Sequence, residues 1–429
     1  MCGVSASGVR PFWPRAFVVF GASAAILAAA AVVGAFAGFR AVGYRVTLRA
    51  VAWPPAWKEI RQARADYYYR LGLRSFGSGD IRQSFLALNQ AYALDPHNLE
   101  ADRLLAQLAQ IGSPDFSDSV YSRLVEEDAE HREDDAQLWV RALIERGDFP
   151  GVSSLAVRML SGGTRKSAPW AQALLFAERM TGDPSGLDRM LVSKRAPLGG
   201  VLSAFSLAAA LRGLDADSQA RLIRLHLATA TAPFDIYYSL SRLNDLGKAS
   251  EVAAFAEGAP GGALDTYDRE AIKLDAYAAL GWDVLVQREI ASLVERGPGV
   301  TVASLVAAHL VRHPNPLTAE YAFQQFDLHP LPAAPKSSGA RLALLCAAGV
   351  NGAGSRMRQE AEAEGRIVGG SFPAWLRVRD FFEGTDRGAN PSAFLPAVGA
   401  LPLDTLYAVY DHFRAINPSL WRSRPARAE

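Results

Sequence analysis

The sequence predicts an all-α protein in which a solenoid of helix pairs follows one transmembrane helix. Three observations support this fold class. Ala16 to Phe39 is an uncharged run of 24 residues, and Ala65 to Asn98 contains two amphipathic helical patterns joined by a turn. Beyond that stretch, helix-breaking residues recur at a nearly constant spacing, as in proteins built from stacked repeats.

The predicted organisation has seven segments. They are an N-terminal tail (1–15), a transmembrane helix (16–39), a juxtamembrane linker (40–57), a repeat array (58–329), a Pro-rich break (330–339), a helical continuation with a cap (340–416) and a C-terminal tail (417–429). The linker contains Trp53-Pro54-Pro55 and is predicted to be a stiff, non-helical spacer. A repeat array of this length is reasonable because arrays grow by adding units and need no single large core.

The uncharged run is long enough to cross a bilayer. As a helix it would span about 36 Å, against a hydrocarbon core of about 30 Å. A signal peptide cleaved after Ala37 is the alternative, and we favour an anchor because the run exceeds the apolar core of a typical signal peptide. Gly34 and Gly38 have the spacing of a helix-dimerisation face and allow a homodimer, although chance also accounts for such a pair among 36 glycines.

Orientation in the membrane is not set by charge, since Arg10 and Arg15 precede the run while Arg40, Arg45 and Arg49 follow it. Only six of the 45 basic residues are lysine, a composition associated with GC-rich bacterial genomes. A single N-terminal span in bacteria usually leaves its large domain outside the cytoplasm. We therefore expect a single-pass protein of the bacterial inner membrane with most of its chain extracytoplasmic.

The stretch from Ala65 to Asn98 reads ADYYYRLGLRSFGSGDIRQSFLALNQAYALDPHN. Apolar and small residues recur at helical spacing in both halves, and Gly79 breaks the pattern between them. Pro96 ends the second helix because it lacks a backbone N–H. The small residue Gly72 predicts a close approach of the two helices, with larger apolar side chains around it.

This unit resembles a tetratricopeptide repeat. The residues that carry the resemblance are Tyr68, Leu71, Gly72, Gly79, Ile81, Ala91 and Pro96, whereas Ser75 and Ser84 depart from the family's usual aromatic and alanine. The resemblance is weaker over Glu133 to Met190, and elsewhere periodicity alone continues it. It implies a right-handed α-α solenoid of about ten helix pairs that acts as a protein-binding scaffold.

Helix breakers extend the pattern along the chain. The predicted breaks, separated by 31 to 35 residues, are Gly79, Gly112, Gly147, Gly182, Gly213, Gly247, Gly281, Asn315, Gly349, Gly384 and Asn417. Proline and serine between 329 and 339 predict an interruption of the array. We expect Leu403 to Ile416 to be an unpaired final helix that covers the open end, as terminal caps of solenoids do.

The sequence contains no motif of a known catalytic type, so we expect no enzyme and no cofactor. His309 and His313 are four residues apart on a predicted helix, as metal ligands can be, but no carboxylate or cysteine accompanies them locally, and no metal is expected. We expect the acidic run from Glu126 to Asp135 to be a solvated loop. His226 is interpreted as a packed or surface residue and Cys346 as a core residue.

The family resemblance implies a partner-binding face on the first helix of each unit. Carried over by position, this face contains Tyr69, Arg70, Leu73 and Phe76 in the first unit and Gln137, Arg141 and Ile144 in the third. Aromatic side chains are favoured as interface anchors. Lys and Asn, which clamp a terminal carboxylate in chaperone-binding members of the family, are missing from the first set and disfavour that type of partner.

We therefore expect a membrane-anchored, non-catalytic scaffold that mediates protein–protein interaction or complex assembly in a bacterial cell envelope. The net charge of +1 gives no general attraction for nucleic acid, and no nucleic-acid partner is expected. The alternative is an envelope hydrolase or transferase with a site in Pro335 to Trp421, which a deep polar pocket there would favour. A secreted soluble scaffold is the third interpretation.

Overall fold

The computed structural model describes residues 12–78, 80–193, 199–258, 262–297, 299–368, 373–383 and 401–416. Within these ranges the secondary structure consists of 22 α-helices and two 3₁₀ turns, with no β-strand. The predicted all-α class is confirmed. The chain divides into two compact units, Met1–Asp135 and Ala136–Glu429. The predicted breaks at Gly79, Gly384 and Asn417, residues 1–11 of the N-terminal tail and the C-terminal tail lie outside the described residues.

The first unit begins with the apolar helix. Its helices are α1 (Phe12–Val42), α2 (Leu48–Ala52), α3 (Trp57–Gly77), α4 (Ile81–Leu94), α5 (Leu99–Gly112) and α6 (Pro114–Glu127), with a 3₁₀ turn at Pro54–Ala56 before α3. Helix α7 (Arg132–Glu145) crosses the boundary between the units. In α1, Ala16–Val42 has a mean hydropathy of 2.4 and is not buried, so this helix is long and apolar enough to cross a membrane, although a signal sequence has the same properties.

The juxtamembrane linker differs from the predicted spacer, because it is partly helical and packs against α3. The Thr47 hydroxyl caps α2 by accepting a hydrogen bond from the Ala50 N–H at 3.1 Å. The Tyr44 ring meets the Tyr67 ring edge-on with centroids 5.0 Å apart. Val46 and Ala50 are buried. Apolar contact with α3 therefore orders a segment that the Trp-Pro-Pro sequence had suggested would stay extended.

Helices α3 and α4 are in close contact at Gly72. A Cβ atom at this position would lie 2.7 Å from Leu88 Cγ. The Ser84 hydroxyl donates a 2.9 Å hydrogen bond to the Gly72 carbonyl oxygen, which gives this departure from the family's alanine a structural role. The next pair repeats the arrangement, since the Ser117 hydroxyl donates to the Ala106 carbonyl oxygen at 2.8 Å. The predicted close approach at Gly72 is confirmed.

The second unit continues with sequential helices. They are α8 (Phe149–Ser161), α9 (Ser167–Thr181), α10 (Ser185–Ser193), α11 (Gly199–Ala210), α12 (Ala216–Leu227), α13 (Pro233–Asp245), α14 (Ala249–Gly258), α15 (Thr266–Ala279), α16 (Asp283–Arg296), α17 (Val300–Arg312), α18 (Pro316–Leu328), α19 (Ser338–Val350), α20 (Gly354–Val368), α21 (Pro373–Phe382) and α22 (Leu403–Ile416). A 3₁₀ turn at Pro335–Ser337 lies in the predicted Pro-rich break.

Most of the predicted breaks separate helices. Five glycines adopt the left-handed conformation with φ between 69° and 72°, which L side chains rarely adopt: Gly147, Gly182, Gly213, Gly247 and Gly281. Asn315 caps the N-terminus of α18. Gly349 is a wrong prediction, because it lies inside α19, where a Cβ would collide with the Phe382 ring. The turn glycine there is Gly352, with φ 72°.

Side chains connect helices about one predicted period apart. The pairs include Tyr69 with Glu100, Arg103 with Asp135, Glu178 with Arg212, Asp275 with His309, Asp283 with Asn315 and Asp327 with Gln359, at sequence separations of 31 to 34 residues. In the second unit α13 packs on α15, α15 on α17 and α17 on α19. Alternate helices thus form a continuous row within this unit.

The C-terminal helix α22 does not sit as an unpaired cap. It packs against α17, about one hundred residues earlier in the chain, and the Thr405 hydroxyl donates to the Ser304 carbonyl oxygen at 3.3 Å. Its sequence is amphipathic, but Thr405, Leu406, Tyr407, Ala408, Val409 and Tyr410 are all buried. The central turns of α22 are thus covered on all sides, although Asp404 and Ala415 at its two ends are exposed. The expectation of an unpaired helix is therefore corrected.

Candidate functional site

The candidate site is the face of the second unit that α22 covers. The Tyr410 hydroxyl donates a hydrogen bond to the backbone carbonyl oxygen of Ile144 in α7. The Tyr410 ring meets the Phe149 ring edge-on, with centroids 5.7 Å apart, and the Tyr407 ring lies 4.2 Å from that of Phe176. Aromatic contacts of this kind supply large buried areas and a defined geometry. Helix α22 is therefore anchored by two tyrosines.

Polar contacts fix the register of α22 along this face. Gln172 of α9 donates to Asp404 at 2.6 Å, and two turns further along α9 the Arg179 guanidinium pairs with Asp411 at 2.6 Å. Arg141 of α7 donates to the Leu401 carbonyl oxygen at 2.6 Å, just before α22 begins. Side chains of α7 and α9 thus hold both ends of the helix, and α17 supports its other side.

The predicted binding residues of the third helix-pair repeat lie at the contact with α22. Arg141 and Ile144 contact α22 or the residue preceding its first turn, and Gln137 is half-buried. The chain's own C-terminal helix therefore covers the face that the family resemblance assigned to a partner. Sequence reasoning missed α22 as the occupant, because the contacts join residues 260 and 266 positions apart.

The predicted binding residues of the first helix-pair repeat differ in that part of their face is exposed to solvent. Leu73 and Phe76 are 42% and 44% exposed, although both are large and apolar. Tyr69 packs on the core around Leu88 and donates its hydroxyl hydrogen to Glu100 at 3.0 Å, and Arg70 is half-buried. On this helix the predicted face has an apolar, solvent-exposed end.

A cavity of about 850 Å³ lies beside α22. Helices α9, α11, α13, α15 and α17 contribute to its wall, and α22 closes it with Asp404, Tyr407, Asp411 and His412. Both acidic and basic side chains line it. Burial raises the pKa of Tyr238 in this wall to about 12, so this phenol stays protonated at neutral pH.

Asp275, His309 and His313 form a cluster beside the same cavity, and Asp275 and His313 line its wall. Asp275 Oδ1 lies 2.8 Å from His309 Nδ1 and 3.5 Å from His313 Nε2, while Asp275 Oδ2 lies 3.0 Å from Arg312 Nε. His309 is 1% exposed and His313 28%. The carboxylate missing from the sequence neighbourhood of the two histidines comes from α15, 34 residues earlier. That separation equals the repeat spacing, and it is the feature of the sequence that could have indicated the contact between Asp275 and His309.

The charge state of this cluster follows from its surroundings. Burial alone would raise the pKa of Asp275, but Arg312 and the hydrogen bond from His309 hold it well below its usual range, so the carboxylate is ionised. Burial lowers the pKa of His313; the Asp275 carboxylate opposes this shift, and the neighbouring positive groups add to it. At neutral pH the cluster thus presents a carboxylate and an uncharged imidazole.

The other residues considered in the sequence have structural environments. His226 Nε2 lies 2.7 Å from Asp235 Oδ1 and 3.4 Å from the Ser203 hydroxyl, so one nitrogen contacts both groups and no serine–histidine–aspartate relay forms. Within the acidic run, Asp128 and Asp135 are buried and pair with Arg103, which corrects the prediction of a solvated loop at these two positions. The exposed carboxylates of the run are Glu126, Glu127, Glu130 and Asp134. Cys346 is buried, and burial raises its pKa to about 12, in keeping with a core residue.

The C-terminal region contains helix pairs and a second cavity, of about 670 Å³. Its wall combines apolar and charged side chains, with Glu360 between Arg356 at 2.6 Å and Arg341 at 3.3 Å. Arg356 also pairs with Asp327 at 2.5 Å. Glu360 in this wall is therefore paired with two guanidinium groups.

The chain matches no protein-family model, no curated protein and no solved structure. Contacts, burial and charge are thus the basis for assigning a function.

Proposed function

We propose that this protein is a membrane-anchored, non-catalytic scaffold of the bacterial cell envelope that binds the helix of a partner protein on the exposed face of α3. The observation that carries the proposal is the difference between two corresponding faces. Arg141 and Ile144 hold α22, whereas Leu73 and Phe76, each 68 positions earlier (141 − 73 and 144 − 76), are exposed. Sixty-eight residues are two repeat periods of about 34.

In this proposal the helix pairs stack as a right-handed solenoid of tetratricopeptide type. The close approach at Gly72, the left-handed glycines between helices and the side-chain contacts one period apart support it. In such arrays the first helices of successive pairs form one surface. The row from α13 to α19 fits that arrangement within the second unit.

The chemistry of α22 indicates which partner the open face would accept. Helix α22 presents Tyr407 and Tyr410 one turn apart, and each contacts aromatic rings on the covered face. Leu73 and Phe76 have the same spacing on α3 and the same need for apolar contact. We therefore propose an amphipathic partner helix with aromatic residues one turn apart, bound by helix-in-groove recognition.

In this proposal the membrane helix places the partner-binding face near the membrane. We propose that α1 stays attached as a single-pass inner-membrane anchor and that the remaining chain is extracytoplasmic. The exposed residues of α3 follow α1 closely in the chain, so a partner in the same membrane would be met at raised effective concentration. An envelope enzyme with its site in Pro335 to Trp421 is the alternative, but the pairing of Glu360 with Arg341 and Arg356 gives it little support.

Co-purification from membranes tests the proposal. Phe76→Asp places a charge on the exposed face, and the matched control Leu86→Asp changes a 50% exposed leucine on α4. We expect specific proteins to co-purify with the parent chain and with Leu86→Asp but to be lost with Phe76→Asp. Retention by Phe76→Asp of every protein that the parent chain captures would contradict the proposed face.

A further inference from the structure

We propose that Asp275, His309 and His313 form a binding site for a divalent transition-metal ion, of which Zn²⁺ is the best match. The site lies in the second unit, on the wall of the cavity beside α22, and it does not depend on partner binding by α3. Two imidazoles and one carboxylate are a common protein ligand set for Zn²⁺ and related ions.

The spacing of the donor atoms fits one shared ion. Ligand atoms bound at about 2.1 Å lie about 3.0 to 3.4 Å apart in octahedral or tetrahedral geometry. Asp275 Oδ1 is 2.8 Å from His309 Nδ1 and 3.5 Å from His313 Nε2. All three donor atoms lie within 4.8 Å of one another. The widest pair must therefore approach by up to about 1.4 Å, which rotation of one histidine side chain can supply.

The fold places these ligands without the need for a mobile loop. His309 is in the last turn of α17 and His313 is its C-cap residue, while Asp275 projects from α15, which packs against α17. The C-terminus of a helix carries partial negative charge and favours a cation.

Arg312 is compatible with this site because it contacts the other carboxylate oxygen. Its Nε lies 3.0 Å from Asp275 Oδ2, whereas Oδ1 faces the two histidines and is hydrogen-bonded to His309 Nδ1. A bound ion would replace that hydrogen bond without displacing Arg312. Carboxylates that bind a metal through one oxygen commonly have a hydrogen-bonding partner on the other, which fixes their orientation. The guanidinium charge opposes the bound cation, so we expect weaker binding than in sites that lack such a neighbour.

The types of ligand atom also determine which class of metal ion the site would bind. Mg²⁺ and Ca²⁺ prefer oxygen ligands, and two imidazoles favour Zn²⁺, Co²⁺ or Fe²⁺ instead. Three protein ligands leave at least one coordination position, and Asp275 and His313 line the cavity. A water molecule or a small anionic ligand from the cavity would take that position.

The test uses the full-length, untagged chain in detergent after treatment with a chelator. Zn²⁺ is titrated by calorimetry and Co²⁺ by visible absorption. We expect one equivalent of either ion to bind, with Co²⁺ bands typical of nitrogen and oxygen ligands. His313→Gln should lower the Zn²⁺ affinity about 100-fold or more. The matched control is His226→Gln, which alters a half-buried histidine beside one aspartate, Asp235, and should bind as the parent does.

The outcomes separate clearly. Failure of the parent chain to bind a stoichiometric ion overturns the proposal, as does a His313→Gln variant that binds Zn²⁺ as tightly as the parent. Should His313→Gln not fold, X-ray absorption at the zinc edge of the parent chain decides instead. Two imidazoles with further oxygen ligands support the site, and sulfur ligands or fewer than two imidazoles overturn it.

Discussion

The Tyr410 hydroxyl donates a hydrogen bond to the backbone carbonyl oxygen of Ile144, which lies 266 residues earlier in the chain. This contact joins the last described helix to α7, near the start of the second unit. It makes α22 part of the interior of that unit. It also covers a face that the family resemblance assigns to a binding partner.

Removal of the Tyr410 hydroxyl should weaken this contact moderately. The Ile144 carbonyl oxygen also accepts the Gly147 N–H at 2.9 Å, so Tyr410→Phe leaves it with one hydrogen bond. We expect a loss of about 1 kcal/mol in the free energy of unfolding, measured by urea denaturation of the detergent-solubilised chain. Tyr267→Phe, at a 45% exposed tyrosine, is the control and should stay within about 0.5 kcal/mol of the parent. Equal stability of the two variants would contradict the docking of α22.

A side chain at position 72 should force α3 and α4 apart. Leucine gains up to about 1 kcal/mol over glycine in a helix, but overpacking typically costs about 1 to 3 kcal/mol. Because a Cβ at Gly72 would lie 2.7 Å from Leu88 Cγ, we expect Gly72→Leu to be destabilised in denaturant unfolding.

The matched control for this variant is Gly77→Leu, at the last residue of α3. A Cβ there meets no atom within 4 Å, so stability should be unchanged or slightly raised. A Gly72→Leu variant as stable as Gly77→Leu would argue against the close helix contact.

Glu145 should make stability fall as the pH rises. Burial raises its pKa to about 8, despite the opposing charges of Arg141 and Arg146. A glutamate in the unfolded chain has a pKa of about 4.3. Between this value and about pH 8 the unfolded state therefore loses a proton that the folded state retains. The unfolding free energy should therefore decline through this window and level off above it.

Comparison of Glu145→Gln with the parent chain, by denaturant unfolding from pH 5 to 9, isolates this contribution. The variant should show a smaller decline, since glutamine does not titrate. Parallel pH profiles for the two proteins would show that Glu145 does not titrate in the proposed window.

The apolar helix should remain attached to the mature protein. As an anchor, Ala16–Val42 keeps the chain in the membrane fraction during alkaline extraction. The mature N-terminus should therefore be Met1 or Cys2, and a reporter fused after Glu429 should be active outside the cytoplasm. An N-terminus at Gly38 would identify a cleaved signal peptide, and cytoplasmic reporter activity would reverse the proposed orientation.

Local features of the fold were predictable from the sequence because they depend on neighbouring residues. A left-handed turn requires glycine, which is why Gly147 and Gly182 marked helix ends correctly. Gly349 was wrongly predicted to end a helix. Glycine also occurs where another element approaches closely, and here that element is the Phe382 ring.

The candidate sites were less accessible to sequence reasoning. Asp275 reaches His309 through packing of α15 on α17, and only the 34-residue separation suggested it. The position of α22 depends on contacts across the whole second unit, such as that between Tyr410 and Ile144. No local pattern encodes a contact of that range.

Site-specific photo-crosslinking at position 76 in native membranes tests the central claim most directly. A benzophenone amino acid in place of Phe76 should form a crosslink to a second protein, because this exposed side chain lies on the proposed partner-binding face. The same amino acid at Leu86, which is exposed on α4, should give no such product. Absence of a crosslink from position 76, or the same product from both positions, would contradict the claim that α3 binds a partner protein.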